Sequence, residues 1–170
     1  MSQRLRNFSR RDFLSTLLGR GRPPERKEES FVIDSVVRPP GALAEDKFRE
    51  LCDGCGLCVA SCPNFVVQLN GRWPELCLDY NHCLLCNKCS NACPTGALLP
   101  AETTGLLPFF SDQCRSRLLG YCELCVESCP THAISCVARQ KPTIDTALCN
   151  GCGVCRANCP ANAIMWQCRD

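Results

Sequence analysis

The chain has 170 residues, 19 of them cysteine, and a net charge of +2 at neutral pH. A cysteine content of about 11% exceeds the roughly 8–10% that marks a disulfide or metal scaffold in a short chain. The near-neutral charge disfavours nucleic-acid binding. The apolar runs are all shorter than the roughly 18 residues that a membrane span needs.

Residues 1–47 are predicted to form a flexible basic tail and linker. The first 29 residues hold eight Lys or Arg and four Asp or Glu. The sequence SRRDFL at residues 9–14 resembles a twin-arginine export signal, but GRGRPP at residues 19–24 interrupts the apolar stretch of about 7–15 residues that export requires. We therefore expect a cytoplasmic protein. Residues 10–18 predict either an amphipathic partner-docking helix or, equally, a frayed basic tail.

Three complete cysteine runs have the spacing C-x2-C-x2-C-x3-C-P, which is typical of bacterial [4Fe–4S] ligands. Three thiolates on one tight loop can hold three corners of a cubane, and in two-cluster ferredoxins the fourth ligates the neighbouring cluster. We expect a short helix to begin at each fourth cysteine, with proline in its first turn. The twelve candidate ligands are Cys52, Cys55, Cys58, Cys62, Cys83, Cys86, Cys89, Cys93, Cys149, Cys152, Cys155 and Cys159.

A displaced fourth run lies before the last complete one, with seven residues between its first two cysteines. The first cysteines of the four runs are 31, 31 and 35 residues apart, and a five-residue insertion accounts for the longer step. This repeat spacing favours four clusters; the alternative is that this repeat has lost its cluster. We expect residues 115–121 to form a loop that no other part of the chain braces. The cluster held by this repeat should therefore be the most labile of the four. Its candidate ligands are Cys114, Cys122, Cys125 and Cys129.

Exchange of the fourth cysteine between neighbouring runs predicts four groups of ligands. Three cysteines belong to no group and have no assigned role: Cys77, Cys136 and Cys168. The groups are set 1 (Cys52, Cys55, Cys58, Cys93), set 2 (Cys83, Cys86, Cys89, Cys62), set 3 (Cys114, Cys122, Cys125, Cys159) and set 4 (Cys149, Cys152, Cys155, Cys129).

Zinc and disulfides are the competing interpretations of so many cysteines. Zinc sites usually combine separated Cys-x2-Cys pairs, often with histidine, and the chain has only His82 and His132. Disulfides are typical of secreted chains, and a Cys-x2-Cys bridge closes too short a loop to constrain the unfolded chain. Iron–sulfur clusters are therefore favoured.

The repeats predict a small α+β fold of tandem bacterial-type 2[4Fe–4S] ferredoxin-like units with short helices and small antiparallel hairpins. The first unit covers residues 48–100, and the second covers residues 101–170. A helix is expected at residues 45–51, and Asn70-Gly71 indicates a hairpin with a type I′ turn. The predicted strands cover residues 66–69, 74–78, 135–137 and 142–144.

The assembled motifs resemble NapF, the ferredoxin-type family of periplasmic nitrate reductase systems. The likeness includes the Ser-Arg-Arg start, Arg38-Pro39-Pro40, the displaced run and the LCNGCG sequence that begins at Leu148. A generic two-cluster ferredoxin explains the complete runs but not the displaced one. The resemblance implies a cytoplasmic maturation factor for the precursor of the molybdenum-containing catalytic subunit of periplasmic nitrate reductase. It would supply electrons or help cluster assembly before export.

The residues themselves indicate only that several one-electron centres share one chain. Neither a nucleotide-binding loop nor a Ser/His/Asp set is visible in the sequence. The prediction is therefore an electron-transfer or accessory protein rather than an independent enzyme. A polyferredoxin electron-transfer subunit of a reductase and an iron or redox sensor are the alternative functions.

Overall fold

A computed structural model describes residues 36–169. The twin-arginine-like sequence and the helix predicted at residues 10–18 lie outside the described residues. Within them, no helix is long and apolar enough to cross a membrane. The helices are α1 (Glu45–Leu51), α2 (Leu57–Ala60), α3 (Lys88–Asn91), α4 (Arg115–Leu119), α5 (Leu124–Glu127) and α6 (Val154–Ala157). The strands are β1 (Val67–Asn70), β2 (Trp73–Leu76), β3 (Leu106–Phe110), β4 (Ile134–Ser135), β5 (Thr143–Ile144) and β6 (Ile164–Cys168).

Helix α1 has the predicted bounds and anchors the first unit. Its acidic first turn and the basic residue in its last turn match the helix dipole. Phe48 is fully buried, and the Arg38 guanidinium lies 5.0 Å from the centre of its ring. A hydrogen bond from Arg38 to Glu45 lowers the pKa of that carboxyl to about 2. The segment before the helix is thus fixed against it.

The first hairpin is present, but its turn differs from the prediction. Asn70 pairs with Trp73, so Gly71 and Arg72 are the two turn residues. Of these two, only Gly71 has a positive φ, whereas a type I′ turn needs a positive φ at both. The expected type I′ turn at Asn70-Gly71 is therefore wrong, because the glycine occupies the first turn position.

The second hairpin is shorter than predicted and begins one residue earlier. Ile134 pairs with Ile144 and Ser135 with Thr143. The side chains of Ser135 and Thr143 are joined by a 2.8 Å hydrogen bond between their hydroxyl groups. The expected strand at residues 135–137 therefore ends at Ser135, which leaves Cys136 outside the ladder.

An additional antiparallel pair closes the second unit, and it was not among the predicted strands. Strand β3 pairs with β6 along five residues. Pro108 lies in the middle of β3, which is compatible with a two-stranded sheet because its missing N–H can face the open edge. Within residues 36–169, the counterpart at the first unit is a single bridge that joins Ala42, in the segment before the unit, to Leu98.

The short helices are positioned differently from the prediction. Each of α2, α3, α5 and α6 carries the third cysteine of its run and ends before the fourth. Pro63, which follows Cys62, lies in a turn rather than in the first turn of a helix. The expectation that helices begin at the fourth cysteines is therefore wrong.

One backbone feature repeats in all four runs, including the displaced one. The third residue after each last cysteine has a positive φ of 48° to 70°. Only one of these four residues is glycine, so the shared conformation is hidden from a sequence pattern. The four residues are Phe65, Gly96, His132 and Asn162.

The insertion in the displaced run is a helix rather than an unbraced segment. Helix α4 fills most of the predicted loop, and its Ser116 is 2% exposed. The side chain of Arg117 forms a 3.2 Å ion pair with Asp112. The expectation that this segment is unbraced is therefore wrong, because these contacts hold it in place. That set 3 is the most labile site stays a prediction.

Two apolar clusters form the core, and both include cysteine side chains. Phe48, Val66, Val67 and Leu76 lie in the first cluster, and Ile164 lies in the second. Trp166 packs against both clusters. The apolar residues alone make a thin core, and the cysteines contribute to its interior.

Replacing Phe48 by alanine should destabilise the cluster-loaded protein by about 3–5 kcal/mol, because the substitution leaves a cavity at a fully buried aromatic site. Tyr80→Ala is the control, since Tyr80 is 91% exposed and should matter by less than about 0.5 kcal/mol. Anaerobic guanidinium unfolding measures both variants. Equal shifts of the two unfolding midpoints would show that the buried Phe48 side chain contributes no more to stability than the exposed Tyr80.

Candidate metal centres

Four cavities each receive four cysteines. Their volumes, which include space open to solvent, are about 320, 390, 350 and 290 Å³ for sets 1 to 4. The fourth cysteines are exchanged: Cys62 lines the set 2 cavity, Cys93 that of set 1, Cys129 that of set 4 and Cys159 that of set 3. The grouping is the one that the cross-ligation scheme predicts.

Left-handed backbone at two positions bends the loop of each complete run. In the first run these positions are Gly54 and Gly56. A Cβ on Gly54 would lie 2.8 Å from the carbonyl oxygen of Arg72, so the close approach of the hairpin requires glycine. In the second run Leu85 and Asn87 adopt the same conformation although neither is glycine.

Backbone N–H groups donate to cysteine sulfurs, for example at Cys83 of set 2 and Cys159 of set 3. The N–H of Leu85 donates to Sγ of Cys83 over 3.4 Å, and the N–H of Ala163 donates to Sγ of Cys159 over 3.4 Å. Such hydrogen bonds stabilise a thiolate and tune a metal site. Each contact therefore offers a hydrogen-bond donor to a sulfur that would be a thiolate in a metal-bound site.

Burial keeps several of the thiols protonated when no metal is bound. It raises the pKa of Cys58 and Cys83 to about 11 and that of Cys125 and Cys155 to about 12. Iron would have to displace these protons, since only the thiolate is a ligand. Cluster assembly is therefore coupled to proton release.

Cys93 and Cys129 differ from these buried thiols. Burial acts to raise the pKa of each, but hydrogen bonds outweigh it and the pKa of each is lowered. The hydroxyl of Thr95 lies 3.5 Å from Sγ of Cys93, and that of Thr131 lies 3.6 Å from Sγ of Cys129. Both threonines follow a Cys-Pro pair, so sets 1 and 4 have a hydroxyl donor at the same position.

Set 3 has the least regular surroundings. Glycine is absent from its Cys122–Cys125 interval, where Glu123 has a φ of −123°. The hydroxyl of Ser116 lies 3.0 Å from Sγ of Cys136, and Cys136 is close enough to Cys125 to raise its pKa further. Sequence reasoning missed this neighbour because it depends on α4, which the spacing did not predict.

The other cysteines and histidines lie apart from the four cavity linings. The thiol of Cys77 lies 3.7 Å from a carboxylate oxygen of Asp79, and Cys168 is exposed on β6. The backbone carbonyl of His82 accepts a hydrogen bond from Asn64. His132 is exposed at its left-handed turn. We assign no ligand role to these residues.

The donor chemistry of the four cavities fits iron–sulfur clusters. Each cavity offers four sulfur donors, the ligand set of a [4Fe–4S] cluster. In residues 36–169, no group of three or more His, Cys, Asp or Glu side chains is arranged around one metal ion. A cubane binds each thiolate to a different iron, so its ligands surround a space rather than a single point.

Comparison with known proteins also indicates iron–sulfur clusters. Residues 51–97 match the family model of the 4Fe-4S dicluster domain, and residues 142–165 match that of the 4Fe-4S binding domain. The chain is 33% identical over 135 residues to the ferredoxin-type protein NapF of Escherichia coli K12, which covers 75% of this chain and 82% of that protein. This chain belongs to the NapF-like family of ferredoxin-type iron–sulfur proteins.

Two further relatives are similar over most of this chain. An uncharacterized protein of Haemophilus influenzae is 42% identical over 138 residues, which cover 80% of this chain and 81% of the relative. The methylamine utilization ferredoxin-type protein MauM of Methylophilus methylotrophus is 35% identical over 151 residues, with 74% and 66% covered. The displaced run lies outside both ranges matched by the family models.

Replacing Thr95 or Thr131 by valine should lower the reduction potential of the cluster held at its set. The hydroxyl donates to a ligand sulfur, and such hydrogen bonds favour the more negative, reduced state. Removal of a bond worth about 1 kcal/mol corresponds to a fall of up to about 40 mV for one electron. Potentiometry followed by electron paramagnetic resonance (EPR) measures the shift.

Serine at either position is the matched control for these valine variants. Thr95→Ser and Thr131→Ser keep the hydroxyl and should keep potentials close to the wild-type values. Unchanged potentials in both valine variants would show that the two hydroxyls do not tune the clusters.

Proposed function

We propose that this protein is a cytoplasmic accessory factor that matures the precursor of the periplasmic nitrate reductase catalytic subunit. Its membership of the NapF-like family, at 33% identity over 135 residues, carries this proposal. The interrupted export-like sequence at residues 9–24 supports retention in the cytoplasm. A helper retained there would meet the precursor before export.

The proposal gives each of the four cysteine sets one [4Fe–4S] cluster. The four similar cavities support the count, and the exchanged fourth cysteines support the ligand assignment. When bound, the clusters supply one-electron chemistry. The chain's own contribution is to present sixteen thiolates and to place hydrogen-bond donors beside them.

Parts of the sites lie at the surface, as a delivery role requires. Cys55 of set 1 and Cys86 of set 2 are exposed. Near set 3, large apolar side chains are also exposed, with Tyr121 at 68% and Leu118 at 52%. A partner could therefore approach these sites without unfolding the protein.

An electron-transfer subunit is the second candidate function. The pairing of sets through exchanged cysteines favours it, because paired clusters exchange electrons readily over short distances. The MauM relative is named a methylamine utilization ferredoxin-type protein, so the family is not confined to one metabolic system. In this reading the same clusters would serve a mature redox enzyme instead of a precursor.

The ligand assignment predicts that Cys114→Ala loses the iron and sulfide of one cluster and retains the rest. Cys114 lines the set 3 cavity and is buried, so its removal leaves that site with three thiolates. Iron and sulfide analysis of the anaerobically purified variant provides the measurement. Cys168→Ser is the control and should keep the full content; an unchanged content in Cys114→Ala would remove Cys114 from the ligands.

The maturation role predicts that the precursor of the catalytic subunit co-purifies with this protein from the cytoplasm. Deletion of the gene should leave the exported nitrate reductase with reduced cluster content and activity. Complementation with the Cys168→Ser variant should restore both. If the precursor does not co-purify and the enzyme exported by the deletion strain is fully loaded and active, the maturation hypothesis is wrong. The electron-transfer hypothesis is then the better one.

A further inference from the structure

The N–H of Cys83 donates a 2.7 Å hydrogen bond to the carbonyl oxygen of Cys152. Cys83 lines the set 2 cavity and Cys152 the set 4 cavity. From this contact we infer that the chain places its four cysteine sets in one row, in the order 1–2–4–3. The inference rests on the proposed ligand assignment but not on the maturation role.

The outer links of the row lie within the two predicted units. Cys58 of set 1 and Cys62 of set 2 belong to the same run, so α2 and the turn after it join these cavities. Cys125 of set 3 and Cys129 of set 4 join the other two in the same way. In each unit the third and fourth cysteines of one run therefore point to neighbouring cavities.

The middle link is a packed junction between the two predicted units. Gly153 faces Leu78 so closely that a Cβ there would lie 3.1 Å from the leucine side chain. Arg156, on α6, forms a 3.0 Å ion pair with Asp79. These contacts come from the residues that flank Cys152 and Cys83, and they hold set 4 against set 2.

The start of the second unit, which leads out of the first, is also fixed against the set 4 loop. The N–H of Thr104 donates to the carbonyl of Asn150 over 3.0 Å, and its hydroxyl donates to the carbonyl of Gly151 over 2.8 Å. A Cβ on Gly151 would lie 2.2 Å from the hydroxyl oxygen of Thr104. Glycine at this position therefore lets the connecting segment reach the set 4 loop.

Spatial order and chain order consequently differ. The displaced run supplies most of set 3, which stands at one end of the row, and set 1 stands at the other. Electronic coupling between clusters falls steeply with distance, so the order of the row determines which clusters exchange electrons. Set 3 can therefore lose its cluster without interrupting electron transfer between sets 1, 2 and 4.

Two double variants of the full chain test this order. Cys55→Ala with Cys122→Ala removes the end sites and leaves sets 2 and 4. Cys86→Ala with Cys152→Ala removes the middle sites and leaves sets 1 and 3. After anaerobic reduction, EPR spectra should show spin–spin interaction in the first variant and two independent signals in the second. Independent signals in the first, or interaction in the second, would overturn the row.

Iron positions in crystals of the wild-type holoprotein provide a test that needs no variant. Anomalous scattering locates each cluster, and the row requires the closest pair between the two units to be those bound by Cys83 and Cys152. Any other closest pair would overturn it. Iron and sulfide counts on the same protein report separately on the ligand assignment, and the co-purification experiment reports separately on the maturation role.

Discussion

In each unit, the fourth cysteine of one run lines the cavity formed by the neighbouring run, and this exchange joins the two halves of the unit. Cys62 leaves its own run to line the neighbouring cavity, and Cys93 crosses in the opposite direction. The apolar residues that surround them are few, so cluster ligation would supply much of the folding free energy. Under the proposed ligand assignment, fold and cofactor would be coupled through the same sixteen side chains.

The sequence predicted the grouping of the cysteines around four cavities better than the elements between them. The spacing of the cysteines identified four groups, including the exchange of Cys129 and Cys159, because ligand geometry restricts spacing strongly. Helix α1 was predictable for a similar reason, since its charges and its single buried aromatic residue lie in one short segment. These features depend on residues that are close in the chain or repeat at a fixed interval.

The errors concern contacts that only the folded chain creates. Strand β3 contains Pro108 and lacks alternation, and its pairing with β6 joins residues far apart in sequence. In the first hairpin the turn residues are Gly71 and Arg72 rather than Asn70 and Gly71. Of the two observed turn residues, only Gly71 has a positive φ. Helix α4 formed where a loose insertion was expected, and it brought Ser116 to Cys136. No local pattern encodes these contacts.

Iron and acid-labile sulfide analysis of anaerobically purified protein, with Mössbauer spectra of the same sample, tests whether the four cysteine sets hold four [4Fe–4S] clusters. We expect about sixteen iron and sixteen sulfide atoms per chain, all in cubane clusters. About four metal ions per chain without sulfide would contradict this expectation, because each set would then hold a single ion.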